Sequence, residues 1–195
     1  IDFDHVFIVL DEVRAYQTNP PYDPFAGELT RAQSMVGLAG AHILDLAEGD
    51  ASASPIAVGQ VADATAGYYN ALSWRVVPAG GDDAGDLAGV SLQMVGTASY
   101  EGETVDFIVS IDEQLVFHCG AFVGDERKGV LPAGEAGEME LTFHFDHIFG
   151  DAEAPLDDSL NMGALGFAPF AELANDGVLN VTLADLEAGW SAETY

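Results

Sequence analysis

The sequence predicts a mainly β protein: an antiparallel β-sandwich over residues 1–150, with an acidic loop and short helical tail over 151–195 packed on it. Two observations predict this class. Apolar and polar residues alternate with period two in at least three segments, and no long 3.6-residue periodicity occurs before residue 160. Many strands followed by two small helices is the order expected of a sandwich with a helical C-terminal appendage.

The elements follow in chain order. Residues 1–13, IDFDHVFIVLDEV, are rich in β-branched and aromatic side chains and read as a largely buried strand. Pro20, Pro21, Pro24 and Gly27 make 17–32 a loop. AHILDL, 41–46, is a short strand, and the small polar stretch 47–55 is a loop. Residues 67–77, GYYNALSWRVV, read as one strand with Tyr68, Leu72, Trp74 and Val76 on one face and Asn70 on the other. Pro78 to Gly85 form a turn, and 89–97 and 104–111 pair through a hairpin at Gly102. A strand at 114–119 precedes a loop from Gly124 to Gly137, where Arg127 and Lys128 are read as a solvated pair. The cleanest alternation comes next, with Met139, Leu141, Phe143 and Phe145 inward and Glu138, Glu140, Thr142, His144 and Asp146 outward. Helices are expected from about Leu165 to Ala174 and again from Leu183, capped by Thr182.

Composition limits the function. Thirty-three Asp and Glu against five Lys and Arg give a formal charge of −28, while 49% of the residues are apolar, enough for a real core. Such a charge repels phosphate backbones and anionic lipid heads, so neither nucleic acid nor a membrane surface is an expected partner. No apolar run reaches the roughly 20 residues that span a bilayer, so direct membrane insertion is not expected. Cys119 is the lone cysteine, which excludes an intramolecular disulfide, a cysteine-based zinc finger and a haem-attachment motif. The acidic surface, together with an opening at Ile1 that is already strand-like, gives the expectation of an exported protein, periplasmic, cell-surface or secreted, whose leader has been removed or lies outside this sequence.

Five histidines stand at 5, 42, 118, 144 and 147. In an extended strand His144 and Asp146 share a face, so the carboxylate can orient the imidazole or ligate beside it. His147 lies where the strand is expected to end, just before Gly150, and His118 can arrive from the preceding strand. FDHVF at 3–7 and FDHIF at 145–149 share four of five residues, which adds His5 as a candidate. Imidazoles with at most one carboxylate suit copper or zinc better than calcium or magnesium. The candidate metal ligands are therefore His144, His147, His118, Asp146 and His5. His42, alone in an apolar strand, reads as a satisfied core or rim residue. No nucleophile elbow, phosphate loop or dinucleotide fingerprint is present, and acids near Cys119 disfavour its thiolate, so no catalytic role is assigned.

The last quarter, HFDHIFGD followed by an acid-rich loop and GFAPFAELANDGVLNVTLADLEAG, resembles the ending of certain uncharacterised exported bacterial proteins and lipoproteins. Those end in a His-x-Asp-His-x-Phe-x-Asp signature followed by a helix–loop–helix similar to one calcium-binding hand. His144, Asp146, His147, Phe149 and Asp151 occupy the matching positions. The resemblance implies export and metal binding but no known reaction. The hand departs from a working loop: Ala174, Val178 and Leu179 stand at its first, fifth and sixth positions, where ligands and the turn glycine belong. Calcium is not expected there; the acids at Asp151, Glu153, Asp157 and Asp158 are the better calcium candidates. Two functions are thus in play. One is a copper or zinc protein with a histidine-centred site. The other is a structural or interaction subunit of a cell-surface or extracellular assembly, joined to a protein partner or to itself through sheet edges.

Overall fold

A computed structural model describes residues 1–23, 32–49, 53–100, 102–120, 128–151, 153–164, 166, 168–182 and 184. Ten strands are described: β1 Asp2–Thr18, β2 Ala32–Gly37, β3 His42–Asp45, β4 Gly67–Tyr68, β5 Ala71–Val76, β6 Leu92–Tyr100, β7 Glu103–Ile111, β8 Leu115–Gly120, β9 Val130–Leu131 and β10 Val178–Thr182. Short helical turns α1 Asp146–Phe149, α2 Ser159–Gly163 and α3 Ala168–Ala171 lie toward the C-terminus, and a 3-10 helix occupies Asp82–Leu87. The mainly β class with few, late helices is as the sequence predicts. The main sheet is mixed rather than wholly antiparallel, because β10 joins β7 in parallel.

β1 organises the sheet. Its first half pairs with β6 on one edge, its second half pairs with β5, and β3 and β2 pair along β1 as well. β6 and β5 leave from the same edge, because Val9 donates its N–H to the Ser91 carbonyl at 3.0 Å and accepts from the Val77 N–H at 3.0 Å. One lobe is β10-β7-β6 beside β1, and the other is β8-β5 beside β1. A bulge between Asp11 and Arg14, with Glu12 at φ 49°, then interrupts the β1–β5 pairing past the switch at Val9.

Alternate residues of β1 contribute to a buried cluster in each lobe. Val6 joins Met94, Ala98, Phe107, Val109, Leu179 and Val181 in one cluster, whereas Ile8 and Leu10 join Leu72, Trp74 and Val76 in the next. Gly96 is required at the close approach of β1, where a Cβ would strike the Asp2 carbonyl and crowd Phe107.

The structure corrects four sequence expectations. The segment 67–77 is broken: Tyr68 is exposed, Asn70 is buried, and β5 is buried on both faces. The break is made by Asn70, whose Oδ1 accepts from the Thr18 N–H and hydroxyl, both at 2.9 Å, while its Nδ2 donates to the Thr18 carbonyl at 3.0 Å. A side-chain amide thus replaces a strand partner at the end of β1.

The segment 138–146 is not a strand. From Leu141 on its inward residues keep period two, since Leu141 and Phe143 pack on the second cluster and Phe145 on the first, while Met139, expected inward, is exposed. The chain runs extended across the faces of the sheet instead of pairing at an edge, so alternation survives without a ladder. Lys128 fastens its start through ion pairs to Glu138, at 3.3 Å, and Glu140, and is therefore no free solvated cation. Gly129 donates to the Glu138 carbonyl and accepts from Tyr69 N–H. At φ 79° a Cβ there would collide with the Tyr69 carbonyl, which only glycine avoids.

FDHIF is the third correction: it forms α1, a helical turn, while FDHVF is β strand. The two motifs still meet, through phenylalanines rather than histidines. Phe3 lies 6.1 Å from Phe145 and 5.7 Å from Phe149 between ring centroids.

The fourth concerns the tail. Residues 178–182, set against the middle of a calcium-binding loop, run as β10 with Leu179 and Val181 buried in the first cluster. Thr182 ends that strand, and of the helix expected from Leu183 only Ala184, which is helical, is among the described residues. The helix expected over 165–174 is described only as α3 and a following turn.

Replacing Asn70 with alanine is expected to strand buried Thr18 groups and lower unfolding stability by about 3 kcal/mol, read as a shifted urea midpoint with unchanged slope.

Candidate metal centre

The residues that converge are His144, Asp146 and His147. Each offers one ligand atom, and these atoms all lie within 4.8 Å of one another. Local structure explains the grouping. His144 is the last outward residue of the extended cover segment, Phe145 anchors in the core, and the chain then tightens into α1. That tightening carries His147 back beside His144, with ring centroids 5.5 Å apart. In a strand, residues three apart would point to opposite faces; in a helical turn they share one.

Asp146 does two jobs. Its Oδ1 lies 3.5 Å from His144 Nδ1 and accepts the His147 N–H at 3.0 Å. The second contact fixes the carboxylate at the start of the turn, and the first places it as orienter or co-ligand of His144.

The turn is braced from below and behind. Phe145 and Phe149 bracket Asp146 and His147 in sequence and pack with Phe3 against the Val6–Phe107 cluster. Gly150 closes α1 in the left-handed region at φ 86°. Asn161 on α2 then accepts the Asp151 N–H at 2.7 Å and donates to the carbonyls of Asp151 and Pro155, both at 3.0 Å. Gly166 donates to the Ile148 carbonyl, a second tie. Asn161 was not among the sequence candidates; its partners are loop backbone groups, which no spacing pattern reveals.

The site itself faces water. The His144 side chain is 62% exposed and that of Asp146 37%. Two imidazoles and one carboxylate are a borderline-soft donor set that fits zinc or copper(II). Three protein donors leave a further coordination position for water or another ligand.

The other candidates lie elsewhere. His118 is on β8, opposite Ser73 on β5, and is not part of the converging group. The expected route for it, a strand at 138–146 neighbouring β8, is not formed.

His5 is held by Asp45: its Nδ1 is 2.7 Å from Oδ2, and its ring stacks on Phe7 at 5.0 Å. Asp45 also accepts the Val6 N–H at 2.9 Å and the Ala47 N–H at 3.1 Å. Partial burial pushes the Asp45 carboxyl upward, but the His5 ring and these two amides outweigh it and hold the group below its ordinary value of 3.8.

His42 is not satisfied: its Nε2 is buried without a partner among the described residues, as is Trp74 Nε1. Cys119 is half-buried, and burial pushes its thiol up against a backbone hydrogen bond with Leu72, so it is a poor nucleophile. Among the described residues no helix is long and apolar enough to cross a membrane.

No protein family, curated protein or solved structure matches the chain.

Two outcomes follow from these contacts. Asn161→Ala removes the brace, and amide exchange at Gly150 and Asp151 should accelerate about fivefold, the equivalent of one lost hydrogen bond, with β6 and β7 amides unchanged. Asp45 has a depressed folded pKa, so its charge stabilises the fold above the unfolded value and ceases to do so as pH falls through the folded one. Asp45→Asn keeps an acceptor for Val6 and Ala47 but removes the charge. The gap in stability between parent and variant should therefore be constant at neutral pH and close below about pH 4, as denaturant melts across pH would show.

Proposed function

We propose that this chain is an exported, acidic metal-binding protein of the periplasm, cell surface or extracellular space that holds copper or zinc through His144, Asp146 and His147. The observation that carries the reading is the approach of three ligand atoms within 4.8 Å of one another on a braced turn. The acidic surface supports it in a general way. A field of excess carboxylates concentrates cations near the protein, and the paired imidazoles then select those that prefer nitrogen. Export rests on the composition and on the resemblance of the C-terminal quarter to exported bacterial proteins.

Solvent exposure of the ligands favours a site that loads and unloads over one that holds the fold together. The core beneath it closes through phenylalanines rather than through the ion. Metal removal should therefore leave the sheet intact, unlike the unfolding seen when a structural zinc is stripped.

A second reading is favoured by one feature. At the end of the main sheet, β8 exposes Leu115 at 40%, Val116 at 53% and Phe117 at 37%, an apolar edge of the kind through which subunits pair. In that reading the protein is a subunit of a cell-surface or extracellular assembly.

The purified protein should retain copper or zinc after dialysis, measured by elemental analysis. Replacing His144 and His147 together with alanine should abolish retention without changing the circular dichroism. Affinity should fall below about pH 6, where imidazole protons compete with the metal. Equal metal content in parent and double variant would remove the reading and leave the assembly subunit, for which size-exclusion chromatography at micromolar concentration is the direct measurement.

A further inference from the structure

In a chain where acids outnumber bases 33 to 5, every cation is expected to be claimed by more than one carboxylate. Lys128 obeys, with Glu138 and Glu140 both on its ammonium. Arg14 and Arg75 do the reverse. They share a single carboxylate: Arg14 NH2 lies 3.1 Å from Glu12 Oε2, and Arg75 NH1 lies 3.5 Å from Glu12 Oε1.

The next acid within reach is not used. Asp11 stands directly opposite Arg75 in the β1–β5 register, yet its Oδ1 accepts the Glu12 N–H at 2.7 Å instead of pairing with the guanidinium. Each guanidinium carries several N–H donors in a planar fork, and most of these remain unclaimed among the described residues. Both side chains are more than 40% exposed, so those donors face solvent.

The surroundings are built rather than accidental. Glu12 holds its carboxylate between the two arginines from the bulge of β1, at φ 49°, a conformation that costs a non-glycine residue energy. The stem of Arg14 lies over Gly37 of β2, where a Cβ would crowd its Cγ. Arg14 and Ser73 are paired across β1 and β5, and Ser73 and His118 across β5 and β8, which puts all three on one face. On that face Tyr16 Oη and Ser73 Oγ are 2.9 Å apart. The result is two guanidiniums flanked by hydroxyls and an imidazole, in a protein whose remaining surface repels anions.

We propose that this face of the second lobe, Arg14 and Arg75 with His118 at its side, binds the carboxylate of a small organic acid, and that Glu12 is an internal carboxylate occupying part of that site. One carboxylate already bridges the pair with one oxygen on each guanidinium, which is the geometry an external carboxylate would adopt by joining or displacing it. The site shares no residue with His144, Asp146 and His147 and does not depend on metal.

The test is a succinate titration of the metal-free, full-length protein at constant ionic strength, with chloride as the matched control, read on the arginine Nε–H resonances. Succinate should shift the Arg14 and Arg75 signals, and Glu12→Gln should tighten binding by about fivefold, because it removes a competing negative charge a few ångströms away. Arg75→Lys keeps the charge but loses the fork, so binding should weaken, and Arg14→Ala with Arg75→Ala should abolish it. No shift in either parent or Glu12→Gln overturns the proposal. So does a titration that the arginine replacements leave unchanged, or that chloride reproduces.

Discussion

A residue in an antiparallel strand points its N–H and its C=O to the same edge, and the whole arrangement turns on how Val9 spends that pair. It gives the N–H to Ser91 and the C=O to Val77, so β6 and β5 must depart from one edge of β1 in opposite senses. The chain between them has to leave Val9 and return to it. It does so through the 3-10 helix and the bridge from Ala79 to Ala88, and packs Ala79 and Ala84 against Val9. Ser91 is fully buried at this junction, where its N–H and hydroxyl both donate to the Ile111 carbonyl.

The two lobes present two apolar clusters along one strand, and both need cover. Strands at the edges cannot supply it, because they extend a sheet without overlying it. The segment from Leu141 to Phe149 can, first as a chain whose alternation sets every second side chain down from Leu141 to Phe145, then through the turn α1, which brings down Phe149. Leu141 and Phe143 fall on one cluster, and Phe145 and Phe149 on the other. Its polar residues are left facing water as a consequence of the same alternation. His144 is therefore on the surface because Phe143 and Phe145 are not.

That relation explains what the sequence made legible. Alternation identified Leu141, Phe143 and Phe145 as inward and Glu140, Thr142 and His144 as outward, and these survive in the structure, whereas Met139, also expected inward, is 36% exposed. It could not tell an edge-paired strand from a chain laid over a sheet, because side-chain period reports on which way residues point, not on where the backbone hydrogen bonds go. The hairpin at Gly102 was readable because its turn is local. β10 was not, since its partner β7 lies some seventy residues earlier and the pairing is parallel. The same limit applied to the histidines. His144 and Asp146 are near in sequence, whereas His118 could be placed only by knowing that β8 pairs with β5. His147 was assigned beside His144 on the expectation that the strand ends, and the mechanism is the α1 turn at Asp146.

Charge gives the two surface sites their chemical contrast. With a formal charge of −28, attraction of cations is a property of the entire surface, and Asp151, Glu153, Asp157 and Asp158, close in sequence, are not among the ligand groups that converge in the described residues. Specificity has to come from groups that are scarce. Imidazole is scarce here, with five in the chain, and two of them stand beside one carboxylate on a braced turn. Guanidinium is scarcer still, and two share one glutamate on a β-sheet face. Screening by salt weakens the general field far more than it weakens direct ligation or a bidentate hydrogen bond. As ionic strength rises, the diffuse attraction of the acidic surface fades. What remains is the directional chemistry of the scarce nitrogen groups: imidazole lone pairs at His144 and His147, and guanidinium N–H donors at Arg14 and Arg75.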